Sequence, residues 1–218
     1  MSVYMTVINV ILILVLIYVL VWPRIRERFS TERLKDANGF SFLVQGGFAD
    51  KQAGLKILSG VNEFNINVIR YLRNKYVRDD GREASDLPNS AYRASLVKNL
   101  MDRYDMDNLI EVNPTNDEKQ TAYSRNKGEE MGLCMRSKMG FGLHPMPILY
   151  FVSLHELAHM AINEYGHTDG FWATFQWLMR EAIASGLLEE NSIPANGFEY
   201  CGINVSYNPL YDSNLAAI

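Results

Sequence analysis

His155-Glu156-Leu157-Ala158-His159 places two histidines four residues apart. On a helix that spacing stacks both imidazoles on one face, one turn above the other, where they can grip one metal ion. Glu156 is offset by one residue, so its carboxylate reaches a water at an open position on such a metal without being a ligand. Eight residues after His159 comes His167, in Asn163-Glu164-Tyr165-Gly166-His167-Thr168-Asp169-Gly170-Phe171. Gly166 is expected to end the first helix and let the chain turn back, bringing a third imidazole to the metal. Pro147 suits a first helical turn, and 148–162 has neither Gly nor Pro and is apolar nearly all round, the pattern of a buried helix. A His-Glu-His set inside such a helix must be satisfied by something.

Upstream, Asn126-Lys127-Gly128-Glu129-Glu130-Met131-Gly132-Leu133-Cys134-Met135-Arg136 precedes the helix, and His167 is followed at four residues by Phe171. With the His-Glu-x-x-His segment, this half of the chain resembles the WLM and SprT-like minimal zinc metallopeptidases. The gap between its second and third histidines is longer than is usual in the first family and shorter than in the second. The resemblance implies an α+β minimal zincin fold, with a small antiparallel or mixed sheet packed on the metal helix. It also implies one catalytic zinc ion on His155, His159 and His167, with Glu156 as general base. In those families a strand before the metal helix holds an extended peptide by main-chain hydrogen bonds, which points to Met131, Gly132, Leu133 and Cys134 as substrate-binding residues. Glu164 and Glu181 are the alternatives to His167 as third ligand. Tyr165, Tyr200 and Tyr207 each offer a phenol to an oxyanion, and the sequence does not choose among them.

The chain has 218 residues, 48% of them apolar, enough for one ordinary domain and an appendage. The appendage comes first. Residues 3–22 carry no charged side chain and match the length of a membrane-crossing helix. Arg24, Arg26 and Arg28 follow, so the positive-inside bias puts the rest of the chain on the cytoplasmic side. Cys134 and Cys201, in separate segments, suggest no disulfide scaffold, which suits a reducing compartment. The sequon at Asn204 is weak counter-evidence. A formal net charge of -4, with no basic block beyond the arginines, gives no electrostatic footprint for nucleic acid.

These readings divide the chain into an anchor at 1–23, a juxtamembrane stalk at 24–60, a metallopeptidase domain at 61–190 and an irregular tail at 191–218. Within the domain, helices are expected over 61–77 and 90–104, the second capped by Ser90, with a polar loop between them. Short strands are expected at 109–112, 121–125 and 130–136. His144 reads as a surface loop residue. After His167, Thr168 or Asp169 should cap a helix to about Gly186, with Phe171, Phe175, Leu178, Met179 and Ala182 inward, and Phe171 and Trp172 should fix His167 by packing. The sequence thus predicts a membrane-anchored zinc metalloendopeptidase acting on protein or peptide. The alternatives are a non-catalytic metal-stabilised membrane scaffold and a protease for DNA-crosslinked proteins; the intact Glu156 argues against the first, the acidic balance against the second.

Overall fold

The computed structural model describes residues 2–28, 31–83, 89–113 and 121–218, with the side chains of 2–6 and 21–28 outside the description. Five helices and seven short strands appear among them. Helix α1 (Ser2–Arg28) leads. Its described side chains, 7–20, are exposed on every face. Among the described residues no helix is long and apolar enough to cross a membrane.

Residues 31–60 of the expected stalk are instead part of the domain. Thr31–Lys35 (β1) and Ser41–Gln45 (β2) form an antiparallel hairpin, and Lys51–Tyr76 (α2) begins ten residues before the expected Val61. Glycines scattered through 39–60 obscured this: Gly39 sits at φ 91° in the hairpin turn, whereas Gly54 and Gly60 lie inside α2. Gly54 has a use, because a Cβ there would stand 3.3 Å from the guanidinium of Arg136.

Ser90–Arg103 (α3) matches its expected span, but Asn89, in the left-handed region at φ 59°, is the N-cap instead of Ser90. Leu109–Glu111 (β3), Ala122–Arg125 (β4) and Glu130–Leu133 (β5) complete a five-stranded mixed sheet of order β1-β2-β3-β5-β4. β2, β3 and β5 run parallel, and the outer pairs β1/β2 and β4/β5 are antiparallel. The expected turn at 113–117 falls mostly outside the described residues, as do 84–88 of the polar loop.

Met146–Ala161 (α4) carries the His-Glu-x-x-His segment, with Pro147 in its first turn and eleven of its residues buried. The buried-helix reading holds. Asp169–Ala184 (α5) follows, capped by Thr168, whose hydroxyl accepts a hydrogen bond from the Phe171 amide. A polar chain inside the core fixes α4 against α2. Ser153 Oγ donates to Asn65 Oδ1 at 2.6 Å, Asn65 Nδ2 donates to the Tyr104 hydroxyl at 3.1 Å, and Tyr104 donates to Asn62 Oδ1 at 2.7 Å. Leaving any one of these buried groups unpaired would cost about 1–3 kcal/mol. The register of α4, and hence the direction of its histidines, is therefore set two residues before His155.

The tail is more ordered than its Asn, Pro and Tyr content suggested. Phe198–Tyr200 (β6) and Ile203–Val205 (β7) make a second hairpin. Cys201, at its turn, is disulfide-bonded to Cys134 at the end of β5, which corrects the expectation of two unpaired cysteines. Sixty-seven residues separate them in sequence, and only the fold brings them together. His144 is a second correction. It is buried against this bridge, its Nε2 accepting from the Cys201 amide at 3.3 Å and its ring 5.3 Å from that of Tyr200.

Candidate metal centre and cleft

His155, His159 and His167 converge, each offering a ring nitrogen within 4.8 Å of the others, a cluster that could hold a metal ion. His155 Nε2 and His167 Nε2 face each other at 3.1 Å. Three imidazoles on a tetrahedral zinc at about 2.0–2.1 Å would put their nitrogens about 3.3 Å apart; the His155–His167 pair is already close to that spacing, and the His159 donor lies within 4.8 Å of both. Aromatic packing holds the rings in place. His159 stacks on Phe171 with centroids 4.2 Å apart, His167 stacks on Trp172 at 5.3 Å, and Phe171 and Phe175 meet His155 edge-on. The expected packing of His167 by Phe171 and Trp172 is present.

Electrostatics prepare the same set. Burial, then the neighbouring imidazoles, push His155 down to about 3 and His159 down to about 4; burial lowers His167 too. All three favour the neutral ring, the form that binds a metal. Burial pushes the Glu156 carboxyl the other way, up to about 8. A carboxyl so placed binds a proton readily near neutral pH.

The two competing carboxylates are engaged elsewhere. Glu164 accepts from the Thr168 hydroxyl, and Glu181 accepts from Lys75 Nζ at 2.7 Å and from the Tyr76 hydroxyl at 2.6 Å. Neither joins the histidine cluster. Gly166, at φ 80°, lies in the intervening loop and does not cap α4, which ends at Ile162 in an extended conformation.

With no glycine cap, the last carbonyls of α4 need donors from elsewhere. Lys127 Nζ donates to the carbonyls of His159 at 2.9 Å, Ile162 at 3.0 Å and Glu164. Arg103 Nη1 donates to those of Met160 and Ile162, and Asn99 Nδ2 to that of Ala161. Sequence pattern alone did not assign Lys127 this role. A cation in a tight turn before a metal helix was the available signal.

A cavity of about 430 Å³ opens beside the cluster, reached by His155, Glu156 and His167. Its walls come from α4, α5, the start of β4 and the β6–β7 hairpin. The substrate-binding expectation for Met131, Gly132, Leu133 and Cys134 is overturned. β5 lies between β3 and β4 with its backbone paired on both sides, and all four residues are buried. The edge strand is β4, whose neighbours Thr121 and Ala122 line the cavity. Gly132 serves packing, for a Cβ there would meet the ring of Tyr123 at 2.4 Å.

Of the three tyrosines, Tyr165 is 83% exposed and lies over Lys127, away from the cavity. Tyr200 and Tyr207 line it. The Tyr200 hydroxyl donates to the Thr121 carbonyl at 3.2 Å, and that of Tyr207 donates to Asp212 Oδ2 at 2.7 Å. Burial raises both phenols, Tyr207 to about 12 with help from Asp212, so both remain proton donors.

No protein-family model matches the chain, and no solved structure matches it. Uncharacterized protein R325 of Acanthamoeba polyphaga mimivirus is 27% identical over 211 residues, 96% of this chain and 100% of that protein. Uncharacterized protein 042R of Invertebrate iridescent virus 3 is 34% identical over 146 residues, 60% of this chain and 86% of that protein. At that identity and coverage, the chain belongs to the family of uncharacterized protein 042R.

Proposed function

We propose that this protein is a zinc-dependent metallopeptidase of minimal zincin type. One observation carries the reading: of three imidazoles with mutually close donor atoms, His155 and His167 share a cavity with Glu156, which is adjacent to His155 in sequence and absent from the ligand set. A scaffold needs the histidines but has no use for a buried carboxyl beside them. Zinc, when bound, would supply a Lewis acid and a lowered pKa for water. The donor set is all nitrogen, which suits zinc better than calcium or magnesium.

The chain's own residues do the rest. Glu156 takes one proton from the attacking water as its oxygen bonds to the peptide carbonyl carbon. The C–N bond then breaks, and the protonated carboxyl returns that proton to the leaving amine. One water is consumed per bond, and Glu156 ends as it began. The free edge of β4 offers main-chain groups to an extended substrate, in place of the buried β5. Tyr200 and Tyr207 line the cavity, and either would donate to a developing oxyanion by leaving its present acceptor, the Thr121 carbonyl or Asp212; Tyr165 lies away from it.

Helix α1 is proposed as a membrane anchor, from the charge-free run 3–22 and the arginines after it, with the domain on the cytoplasmic side. The Cys134–Cys201 disulfide removes the cysteine argument for that side, which rests on the arginines alone. The test of function is zinc content of the purified full chain together with cleavage of an unfolded protein, with and without chelator. A zinc-loaded chain that leaves unfolded protein intact would sink the reading.

A further inference from the structure

We infer that the cavity is a subsite for a large apolar side chain on the residue next to the scissile bond, an assignment that rests on the peptidase reading. Phe151 and Val152 of α4, Phe175 of α5, and Ile203 and Val205 of β7 supply its apolar walls. Among the described residues around it, Glu156 is the one charged group, and it belongs to the metal end. A lysine or aspartate side chain entering among these apolar walls would lose hydration, and away from the metal end it would find only uncharged partners such as Asn204 and Ser206. A leucine, methionine or phenylalanine would exchange water for apolar wall. Ile203, 46% exposed at the cavity, has no core role and is the site at which preference can be altered without unfolding.

The probes are leucine, alanine, aspartate and lysine hydroxamates bound to the zinc-loaded full chain, with a peptide series varied at one residue beside the bond. Leucine hydroxamate should bind about 10-fold or more tighter than alanine hydroxamate. Ile203→Asp should weaken leucine hydroxamate and strengthen lysine hydroxamate. Leucine preference without cleavage of any peptide keeps the subsite and removes the peptidase reading. Cleavage with equal affinity for all four hydroxamates, or an unchanged ranking in Ile203→Asp, removes the subsite alone. Failure of every hydroxamate to bind removes both.

A different observation assigns Lys127 as a positioning residue for the metal ligands. Asn126 and Lys127 hold positive φ angles of 47° and 61°, and a Cβ on Gly128 would stand 2.1 Å from the Arg103 carbonyl. Two non-glycine residues in the left-handed region are retained only where surroundings over-determine them. What this turn delivers is one ammonium that ties the carbonyl of His159 to the carbonyls of Ile162 and Glu164, on the path to His167. Its charge lies near His159 and opposes a bound dication, so a purely electrostatic view makes Lys127→Met bind zinc more tightly. Positioning makes the opposite prediction.

Zinc dissociation constants and cobalt absorption spectra of Lys127→Met, Lys127→Arg and Asn99→Ala, with thermal unfolding of each metal-free form, decide it. Asn99 caps a carbonyl of the same helix end without touching a metal ligand or the loop. Lys127→Met should weaken zinc about 10-fold or more and alter the cobalt spectrum, Lys127→Arg should restore part of the loss, and Asn99→Ala should lose only thermal stability. Parental affinity in Lys127→Met, or equal losses of affinity in Lys127→Met and Asn99→Ala, overturns the assignment. A parent chain that binds no zinc overturns the metal centre itself.

Discussion

Glu156 and His167 divide the work of the candidate site in ways that single substitutions separate. Glu156 contributes no ligand, so Glu156→Gln should keep zinc affinity near parental and lower peptide hydrolysis by about 10²–10⁴-fold. Zinc titration and peptide kinetics on the same sample test this. Hydrolysis at the parental rate would remove Glu156 as base. His167 is exposed, and the stacked Trp172 ring is its main restraint. His167→Ala should leave two protein ligands and weaken zinc sharply, whereas Glu164→Gln and Glu181→Gln should bind it normally. Glu181→Gln should still destabilise, because Lys75 and Tyr76 lose a charged partner in a part-buried setting. Zinc titration and thermal unfolding of the three variants distinguish ligand from structural carboxylate. A normal His167→Ala with a failing glutamate variant would make the site a two-histidine, one-carboxylate centre.

The elements that hold these residues differ in how far local sequence announces them. Helix α4 and the start of α5 were legible, since His-Glu-x-x-His, an uninterrupted apolar run and a Thr168 cap are all local signals. The β1–β2 hairpin and the extra turns of α2 were not, because glycines at 39, 46, 47, 54 and 60 read as linker while sheet pairing and core packing overrode their propensity. Which strand forms the sheet edge was hidden for a related reason. Chain order puts β5 next to α4, but β5 inserts between β3 and β4, a choice made by tertiary pairing. The Cys134–Cys201 bridge was likewise invisible, as nothing local joins positions 67 apart. It ties β5 to the hairpin that walls the cavity, so its loss should affect both stability and the cleft. A double Cys134→Ala, Cys201→Ala variant should lose up to about 4 kcal/mol in urea unfolding, from loop-closure entropy for a loop of that length. It should also bind leucine hydroxamate more weakly, as the Ile203 wall loosens. Unchanged stability would show that the two cysteines are not bonded in the working protein.

At the scale of the whole molecule, the metal centre makes fold stability depend on pH in a way that reports on its occupancy. Take the metal-free protein first. His155 and His159 are held near 3 and 4 against an ordinary value of 6.5, so between those limits the unfolded chain binds more protons and stability falls as pH falls below 6.5. Glu156 has the opposite sign. Its carboxyl is held near 8 against an ordinary 4.5, so the folded chain binds the extra proton, and stability falls as pH rises from 4.5 through 8. Between 4.5 and 6.5 two histidines outweigh one glutamate, and above 6.5 only the glutamate acts. The contribution of these three groups therefore peaks near pH 6.5 in the metal-free form. A bound dication acts on the second limb: His155 and His159 are already neutral in the folded chain above about pH 4, whereas the ion favours an ionised Glu156, which removes the decline above 6.5. The rise in melting temperature on adding zinc should accordingly be larger at pH 8 than at pH 5, and metal-free Glu156→Gln should lack the decline that the metal-free parent shows between pH 6.5 and 8. Thermal unfolding with zinc and with chelator at pH 5, 6.5 and 8 measures each arm. Equal zinc increments at pH 5 and 8 would mean that the ion does not release the Glu156 proton, and Glu156 would have to be placed away from the metal's open position.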